Sequence, residues 1–205
     1  TCALTENSST VTFTFTNHTS QEFTGTFKFQ TMINYAETGG SGTIDLGDKT
    51  YTIEPEYSLN AEKKHTLSAD NRKVSYTVTV HAPNGTNSQP VTITDQLTEN
   101  TANGSYDTGS IKINGKSLSK YEDEGAAITY NTDGKGFEIT GLPALRYNEK
   151  YELTYDVNVD AVTGADGSGT IVNTAKGKSG TLESSEVKDT VTVQESSITK
   201  TGTYD

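Results

Sequence analysis

The sequence is poor in two residue types that often stabilise a small fold, cysteine and tryptophan. It has no tryptophan and a single cysteine, Cys2, among 205 residues. One cysteine cannot form an internal disulfide, so the fold must be held by other means. Hydrophobic residues make up only 31% of the chain, and no apolar run is long enough to cross a bilayer. This composition argues against a large α/β enzyme core and predicts no membrane span.

Basic charge is also scarce, with 16 Lys and Arg against 27 Asp and Glu and a net charge of -11. Nucleic-acid binding needs clustered Lys or Arg, so nucleic acid is excluded as a predicted partner. The three histidines are scattered without metal-ligand spacing, and no phosphate loop or nucleophile elbow occurs. We therefore predict no metal site, no cofactor and no turnover catalysis.

The apolar residues that are present alternate with polar ones in short runs rich in Val, Ile, Thr, Tyr and Phe, which is typical of half-buried strands. Connections such as "PNGTN" and "NTDGKG" carry turn residues, and only one short helical piece is predicted, near 117–126. The pattern predicts an all-β protein, an immunoglobulin-like β-sandwich. The predicted strands are 10–17, 23–35, 42–46, 49–59, 57–65, 73–81, 90–96, 110–113, 127–130, 136–140, 149–159, 169–176 and 186–193.

The strands divide the chain into three predicted segments. Residues 1–56 hold too few strands for a closed sandwich and are interpreted as a partial N-terminal β domain. Residues 57–193 form the complete immunoglobulin-like domain. Residues 194–205 are either a linker, a strand that latches back, or the first strand of a next domain. The last is favoured, because Ile198 stands two residues before Lys200 as Ala61 stands before Lys63.

Three polar residues occur on predicted inward faces: Lys63, Asp95 and Asn173. Asn173, within "GSGTIVNTAKG", shares its face with Ile171 and Ala175. Since side chains on a strand alternate between faces, shared phase with apolar neighbours predicts burial. A buried amide without a partner costs about 1–3 kcal/mol, so this placement requires a partner or a reaction.

A reaction accounts for all three residues together. Burial favours the neutral, nucleophilic amine of Lys63 and the protonated acid of Asp95, which is expected to donate to the Asn173 amide oxygen. Attack of the amine on the amide carbon would release ammonia and leave an isopeptide bond. Each residue also has an ordinary interpretation, as a snorkelling lysine, a turn cap and a bulge. Lys64 is a rival for Lys63, because one residue of register slip exchanges the faces.

Here the sequence resembles a known family. The pieces "YTVTV" (76–80), "VTITDQL" (91–97), "LTYDV" (153–157) and "NTA" (173–175) look like the isopeptide-forming domains of Gram-positive surface adhesins of the collagen-binding type, and the similar fimbrial domains. The resemblance spans about 57–193. It implies that the strand lysine, the neighbouring acid and the late asparagine carry the crosslink, which by match are Lys63, Asp95 and Asn173.

The resemblance also implies a location and a function. We expect an extracellular, cell-wall-anchored adhesin fragment, a monomer or domain string, whose partner is an extracellular protein such as the matrix protein collagen. The rival interpretation is a pilus or stalk subunit in which the domain is a spacer. A carbohydrate-binding module is less favoured, because it would use exposed aromatic platforms. Tyrosines near predicted loops form either a recognition surface or half-buried packing: Tyr106, Tyr121, Tyr130 and Tyr147.

Overall fold

The computed structural model describes residues 2–4, 11–13, 42–45, 49–53, 56–160, 162 and 166–195. Strands occupy most of this part of the chain, which confirms the predicted all-β class. The strands are β1 (Cys2–Leu4), β2 (Val11–Phe13), β3 (Gly42–Asp45), β4 (Thr50–Ile53), β5 (Asn60–Leu67), β6 (Lys73–Ala82), β7 (Val91–Asn100), β8 (Gly104–Ile113), β9 (Lys116–Ser117), β10 (Ala127–Tyr130), β11 (Gly136–Leu142), β12 (Glu149–Val159), β13 (Ser168–Ser179), β14 (Leu182–Glu183) and β15 (Val187–Gln194).

The chain separates into two units, Thr1–Met32 and Ile33–Asp205. In the first unit β1 and β2 form an antiparallel pair. In the second unit β3 and β4 form another antiparallel pair, and the remaining strands form two larger sheets. The predicted strand 23–35 and most of the tail 194–205 lie outside the described residues. The domain boundary at residue 56 therefore stays a prediction.

The two larger sheets form an antiparallel sandwich. One sheet has the order β5-β6-β12-β8-β9. The other has the order β10-β11-β7-β13, and both β14 and β15 pair with the far side of β13. Buried side chains from both sheets form one hydrophobic core between them. The sandwich that the strand pattern predicts is thus confirmed.

The alternation in the sequence explains which side chains enter this core. Along β6 and β12, buried residues alternate with partly or fully exposed ones, as the two-residue period of a strand requires. In β13, by contrast, every residue from Ile171 to Ala175 is buried. This strand is an interior one, paired with β7 on one side and β15 on the other.

The only helix among the described residues is α1 (Ser119–Glu122), within the short piece predicted near 117–126. Tyr121 of this helix packs edge-on against Tyr151 of β12, with ring centroids 6.2 Å apart. No helix in the described part of the chain is long and apolar enough to cross a membrane. The hairpin between β8 and β9 turns through Asn114 and Gly115, which have φ of 49° and 73°, as a two-residue hairpin turn demands.

Candidate functional site

Lys63 enters the core from β5, an edge strand of the five-stranded sheet. Its side chain has no exposed surface. The Nζ atom donates to Asp95 Oδ2 at 2.6 Å and to the Tyr155 hydroxyl, also at 2.6 Å. The rings of Tyr76 and Tyr155 lie 4.8 Å and 5.2 Å from the same nitrogen. The amine is therefore enclosed by aromatic surface and reaches polar partners only at its tip.

Lys64, the alternative lysine, points the other way. It is exposed and lines a shallow groove on the outer face of the same sheet. Since successive side chains of a strand face opposite sides, only one of the two lysines can enter the core. The structure brings Lys63, and not Lys64, to Asp95.

Asp95 lies on β7, in the opposite sheet, and is 2% exposed. Its Oδ2 accepts hydrogen bonds from Lys63 Nζ and, at 2.5 Å, from the Tyr155 hydroxyl. Its Oδ1 accepts from the Tyr106 hydroxyl at 2.7 Å. Both carboxylate oxygens are thus hydrogen-bonded, which offsets the large cost of removing a carboxylate from water.

Asn173 lies on β13, next to β7, and is fully buried. Its neighbour on the same face, Ala175, is directly opposite Asp95 in the ladder, so Asp95 and Asn173 are diagonal neighbours on one face. Asn173 Nδ2 donates to the Tyr155 hydroxyl at 2.8 Å, while Oδ1 has no hydrogen-bond partner. The carbonyl of the amide is therefore left with its acceptor capacity unused.

Tyr155, on β12, connects the three predicted residues and was missed by sequence reasoning. Its hydroxyl bonds to Lys63 Nζ, Asp95 Oδ2 and Asn173 Nδ2. Its position in phase with Leu153 and Val157 predicts a buried ring. That signal was available in the sequence, since a buried tyrosine usually finds a partner for its hydroxyl.

The Tyr155 hydroxyl also changes one detail of the predicted chemistry. The sequence predicts that Asp95 donates a hydrogen bond to the Asn173 amide oxygen. Instead, the carboxyl group makes no hydrogen bond with Asn173, and the phenol oxygen stands between the two side chains. The physical reason is space: the ring on β12 enters between two diagonal neighbours of the facing sheet. Tyr106, predicted near a loop, lies on β8 and is half-buried against this group.

The surroundings shift the acid–base properties of the site. Burial lowers the pKa of the Lys63 amine from 10.5, because the charged form loses its water, and the Asp95 carboxylate opposes this change. Burial also raises the pKa of the Tyr155 phenol well above 10.0, and the adjacent Asp95 carboxylate adds to the rise. A less basic amine thus lies beside a phenol that holds its proton.

One further polar contact borders the site. His65 Nδ1, two residues after Lys63, lies 2.7 Å from Asp189 Oδ2 on β15, so the contact joins the edge strands of the two sheets. The His65 and Asp189 side chains are 28% and 17% exposed. Among the described residues there is no cluster of three metal-ligating side chains.

The described strands form an all-β sandwich, and its core holds one hydrogen-bonded group of Lys63, Asp95, Tyr155 and Asn173. Neither a protein-family model nor a curated protein matches this chain. Among solved structures, the chain is similar to the collagen-binding domain of a Staphylococcus aureus adhesin, with 15% identity and a TM-score of 0.45, over 70% of this chain and 99% of that domain.

Two other solved structures are also similar to this chain. The collagen-binding subdomain of the Enterococcus faecalis surface protein ACE is 13% identical, with a TM-score of 0.43, over 70% of this chain and 99% of the subdomain. The full-length major pilin SpaD from Corynebacterium diphtheriae is 18% identical, with a TM-score of 0.45, over 70% of this chain and 36% of the pilin.

These neighbours are collagen-binding adhesin domains and pilins of Gram-positive bacteria, the group that the sequence motifs resemble. With TM-scores below 0.5, these similarities carry no argument about this chain. The chemistry of this chain has to be argued from its own buried side chains.

Proposed function

We propose that Lys63 and Asn173 join spontaneously in an intramolecular isopeptide bond. The observation that carries this proposal is the burial of an amine, a carboxyl group and a primary amide around one phenol oxygen. An isolated ionised group in such a place is costly. A reaction that turns the amine and the amide into one neutral amide removes both the charge and the need for the pair.

The reaction begins with the Lys63–Asp95 pair. Asp95 takes a proton from the Lys63 ammonium group, which gives a neutral amine and a neutral acid. The amine nitrogen then attacks Cγ of Asn173 and forms a C–N bond. The bond from Cγ to Nδ2 breaks, Nδ2 leaves as ammonia, and the carbonyl is restored. The chain is consumed as its own substrate, so the step runs once and is not turnover catalysis.

The bond would tie the two sheets together. Lys63 lies on β5 in one sheet and Asn173 lies on β13 in the other. The closed loop holds about 110 residues, and chain-entropy arguments for crosslinks of that length give roughly 4–5 kcal/mol of stabilisation. A force applied at the two ends of this sandwich would then be resisted by a covalent bond between strands, and not only by strand contacts that can separate.

This brace suits a surface protein that bears load. We propose that the chain is part of an extracellular, cell-wall-anchored adhesin that holds the cell to an extracellular protein ligand, for example collagen. The motif resemblance and the proposed brace support this function. The alternative is a spacer domain in a pilus or stalk. Such a spacer would form links between copies of the chain, whereas an adhesin would bind a soluble ligand as a monomer.

Intact mass of the purified, denatured chain tests the crosslink. We expect a mass one ammonia below the sequence value, with the Lys63 and Asn173 peptides joined in a digest. Lys63→Met should restore the uncorrected mass, whereas the matched control Lys64→Met should still lose ammonia. An uncorrected mass in the wild type, with the two peptides separate, would overturn the proposal.

A further inference from the structure

The Tyr155 hydroxyl oxygen contacts both nitrogen atoms that the proposed reaction exchanges. Lys63 Nζ, the attacking nitrogen, donates to it at 2.6 Å, and Asn173 Nδ2, the leaving nitrogen, donates to it at 2.8 Å. The two nitrogens can therefore be no farther apart than the sum of these contacts. A single oxygen atom bridges the start and the end of the proton path that the reaction needs.

The carboxyl group of Asp95 cannot cover the same path alone. It contacts Lys63 Nζ and the Tyr155 hydroxyl but makes no hydrogen bond with Asn173. Asp95 is therefore placed to remove the first proton from Lys63, before attack. It is not placed to protonate the leaving nitrogen.

From this geometry we infer that Tyr155 is a catalytic residue of the crosslinking reaction and carries the proton from Lys63 Nζ to Asn173 Nδ2. The inference rests on the proposed function and names a participant that the predicted Lys-Asp-Asn trio lacks.

The protons balance in two stages. Asp95 first accepts a proton from the Lys63 ammonium group, so its Oδ2 no longer accepts from the phenol and the phenol hydrogen is free to turn toward Nδ2. After the amine attacks Cγ, Nζ carries one proton too many. The phenol oxygen accepts that proton while its own hydrogen passes to Nδ2, which leaves as ammonia. Tyr155 ends the step as a neutral phenol, ammonia leaves as a neutral molecule, and Asp95 keeps the proton that it took from Lys63, so no charge remains in the core.

The ring of Tyr155 is held in place by its neighbours. It stacks on Tyr76 with a centroid distance of 5.5 Å and meets Phe137 edge-on at 5.4 Å. Removing only the hydroxyl should leave these contacts in place. Tyr155→Phe is therefore a specific probe of the oxygen atom.

Tyr106 supplies the matched control. Its hydroxyl also bonds to Asp95, but to Oδ1, and it contacts neither reacting nitrogen. Tyr106→Phe removes a phenol hydroxyl from the same carboxyl group, in the same core, and leaves in place the Tyr155 oxygen between Lys63 Nζ and Asn173 Nδ2.

The test follows crosslinking in the full chain made by cell-free translation. Translation is stopped, samples are denatured at intervals, and the fraction that has lost ammonia is measured by mass. We expect Tyr155→Phe to slow the reaction by about 10²–10⁴-fold, which is the usual contribution of a positioned general acid–base group to a reaction rate. Tyr106→Phe should stay within roughly tenfold of the wild type, as expected when no proton-transfer group is lost.

The outcomes separate this inference from the proposed function. If the wild type loses ammonia and folded Tyr155→Phe does so at the same rate, the role of Tyr155 is wrong while the crosslink stands. If the wild type never loses ammonia, both fail. Should Tyr155→Phe not fold, crosslinking of the wild type is followed in mixtures of H2O and D2O. Transfer through the phenol moves two protons in one step, from Nζ to the phenol oxygen and from that oxygen to Nδ2. The rate should therefore depend quadratically on the deuterium fraction, and a linear dependence, which indicates a single moving proton, would overturn the inference.

Discussion

Lys63 Nζ lies 2.6 Å from Asp95 Oδ2, although the two residues belong to different sheets of the sandwich. Neither side chain has exposed surface. A buried ion pair is a poor source of stability, because desolvation of both charges offsets much of their attraction. The pair makes better physical sense as the starting point of a reaction, since proton transfer between the partners yields two neutral groups.

Loss of the Asn173 amide should expose the contribution of the crosslink to stability. Asn173→Ala keeps Lys63 and Asp95 but removes the carbon that the amine attacks. We expect the free energy of unfolding to fall by roughly 4–5 kcal/mol, the entropic value of the closed loop. Denaturant unfolding measures it. Lys64→Met, at an exposed position, should change the value by less than about 0.5 kcal/mol. Equal stability of Asn173→Ala and wild type would argue against a covalent tie.

The crosslinking rate should depend on pH through Lys63. The reactive state, a neutral amine beside a protonated Asp95, holds the same number of protons as the ion pair from which it forms. The rate should therefore be nearly level around neutral pH, where the pair keeps its proton, and should fall once the pair loses that proton to solvent. Because the pKa of Lys63 is lowered from 10.5, this fall should begin below pH 10.5. Time courses of ammonia loss at several pH values check this, and a rate that rises about tenfold per pH unit through neutral pH would contradict it.

The same pKa shift predicts how stability varies with pH when no crosslink forms. In Asn173→Ala, the unfolded chain binds a proton at Lys63 more tightly than the folded chain does. Stability from this group should therefore increase as pH rises from the lowered pKa toward 10.5. Denaturant midpoints across that range, compared with Lys63→Met in the same background, measure the contribution. If the stability of the Lys63→Met variant still increases with pH over this range, the dependence comes from other groups.

Asp189 should restrain the reaction slightly. Its negative charge raises the pKa of Lys63, although less than the Asp95 carboxylate does. Asp189→Asn should lower that pKa further and speed crosslinking at neutral pH by about two- to threefold, since the neutral amine becomes more populated. Asp156→Asn is the control, because Asp156 pairs with Lys73 and does not act on Lys63. A slower reaction in Asp189→Asn would mean that its contact with His65 positions β5.

Close packing near the start of β13 should make a methyl group added at Gly169 destabilising. A Cβ there would lie 2.8 Å from Cα and 3.0 Å from the backbone nitrogen of Ala102. Backbone atoms cannot rotate away, so Gly169→Ala in the Asn173→Ala background should cost about 1–3 kcal/mol. Gly109→Ala is the matched control, since its Cβ would meet only Asp107 Oδ1 at 3.5 Å. Similar denaturation midpoints for the two variants would contradict the packing argument.

The strand periodicity in the sequence predicted much of this architecture. Alternation of apolar and polar residues indicated the all-β class and most strands from 57 onward. It also predicted that Lys63, Asp95 and Asn173 face inward, and their burial confirms this. Their roles in a crosslink remain predictions.

The role of Tyr155 was not predicted, because its sequence pattern is that of an ordinary core residue. A tyrosine in phase with Leu153 and Val157 is expected to pack its ring in the core. The neighbouring sequence does not indicate which groups its hydroxyl contacts. Asp95 and Asn173 are likewise far apart in sequence, and their diagonal placement follows from the pairing of β7 with β13.

A two-residue period assigns each side chain to a face, because consecutive residues of an extended chain must point to opposite sides. That local rule is enough to bury an amine, an acid and an amide. It carries no information on which strands become neighbours or in what register. Those features depend on how two sheets pack over one core, and they bring the Tyr155 oxygen between Lys63 Nζ and Asn173 Nδ2.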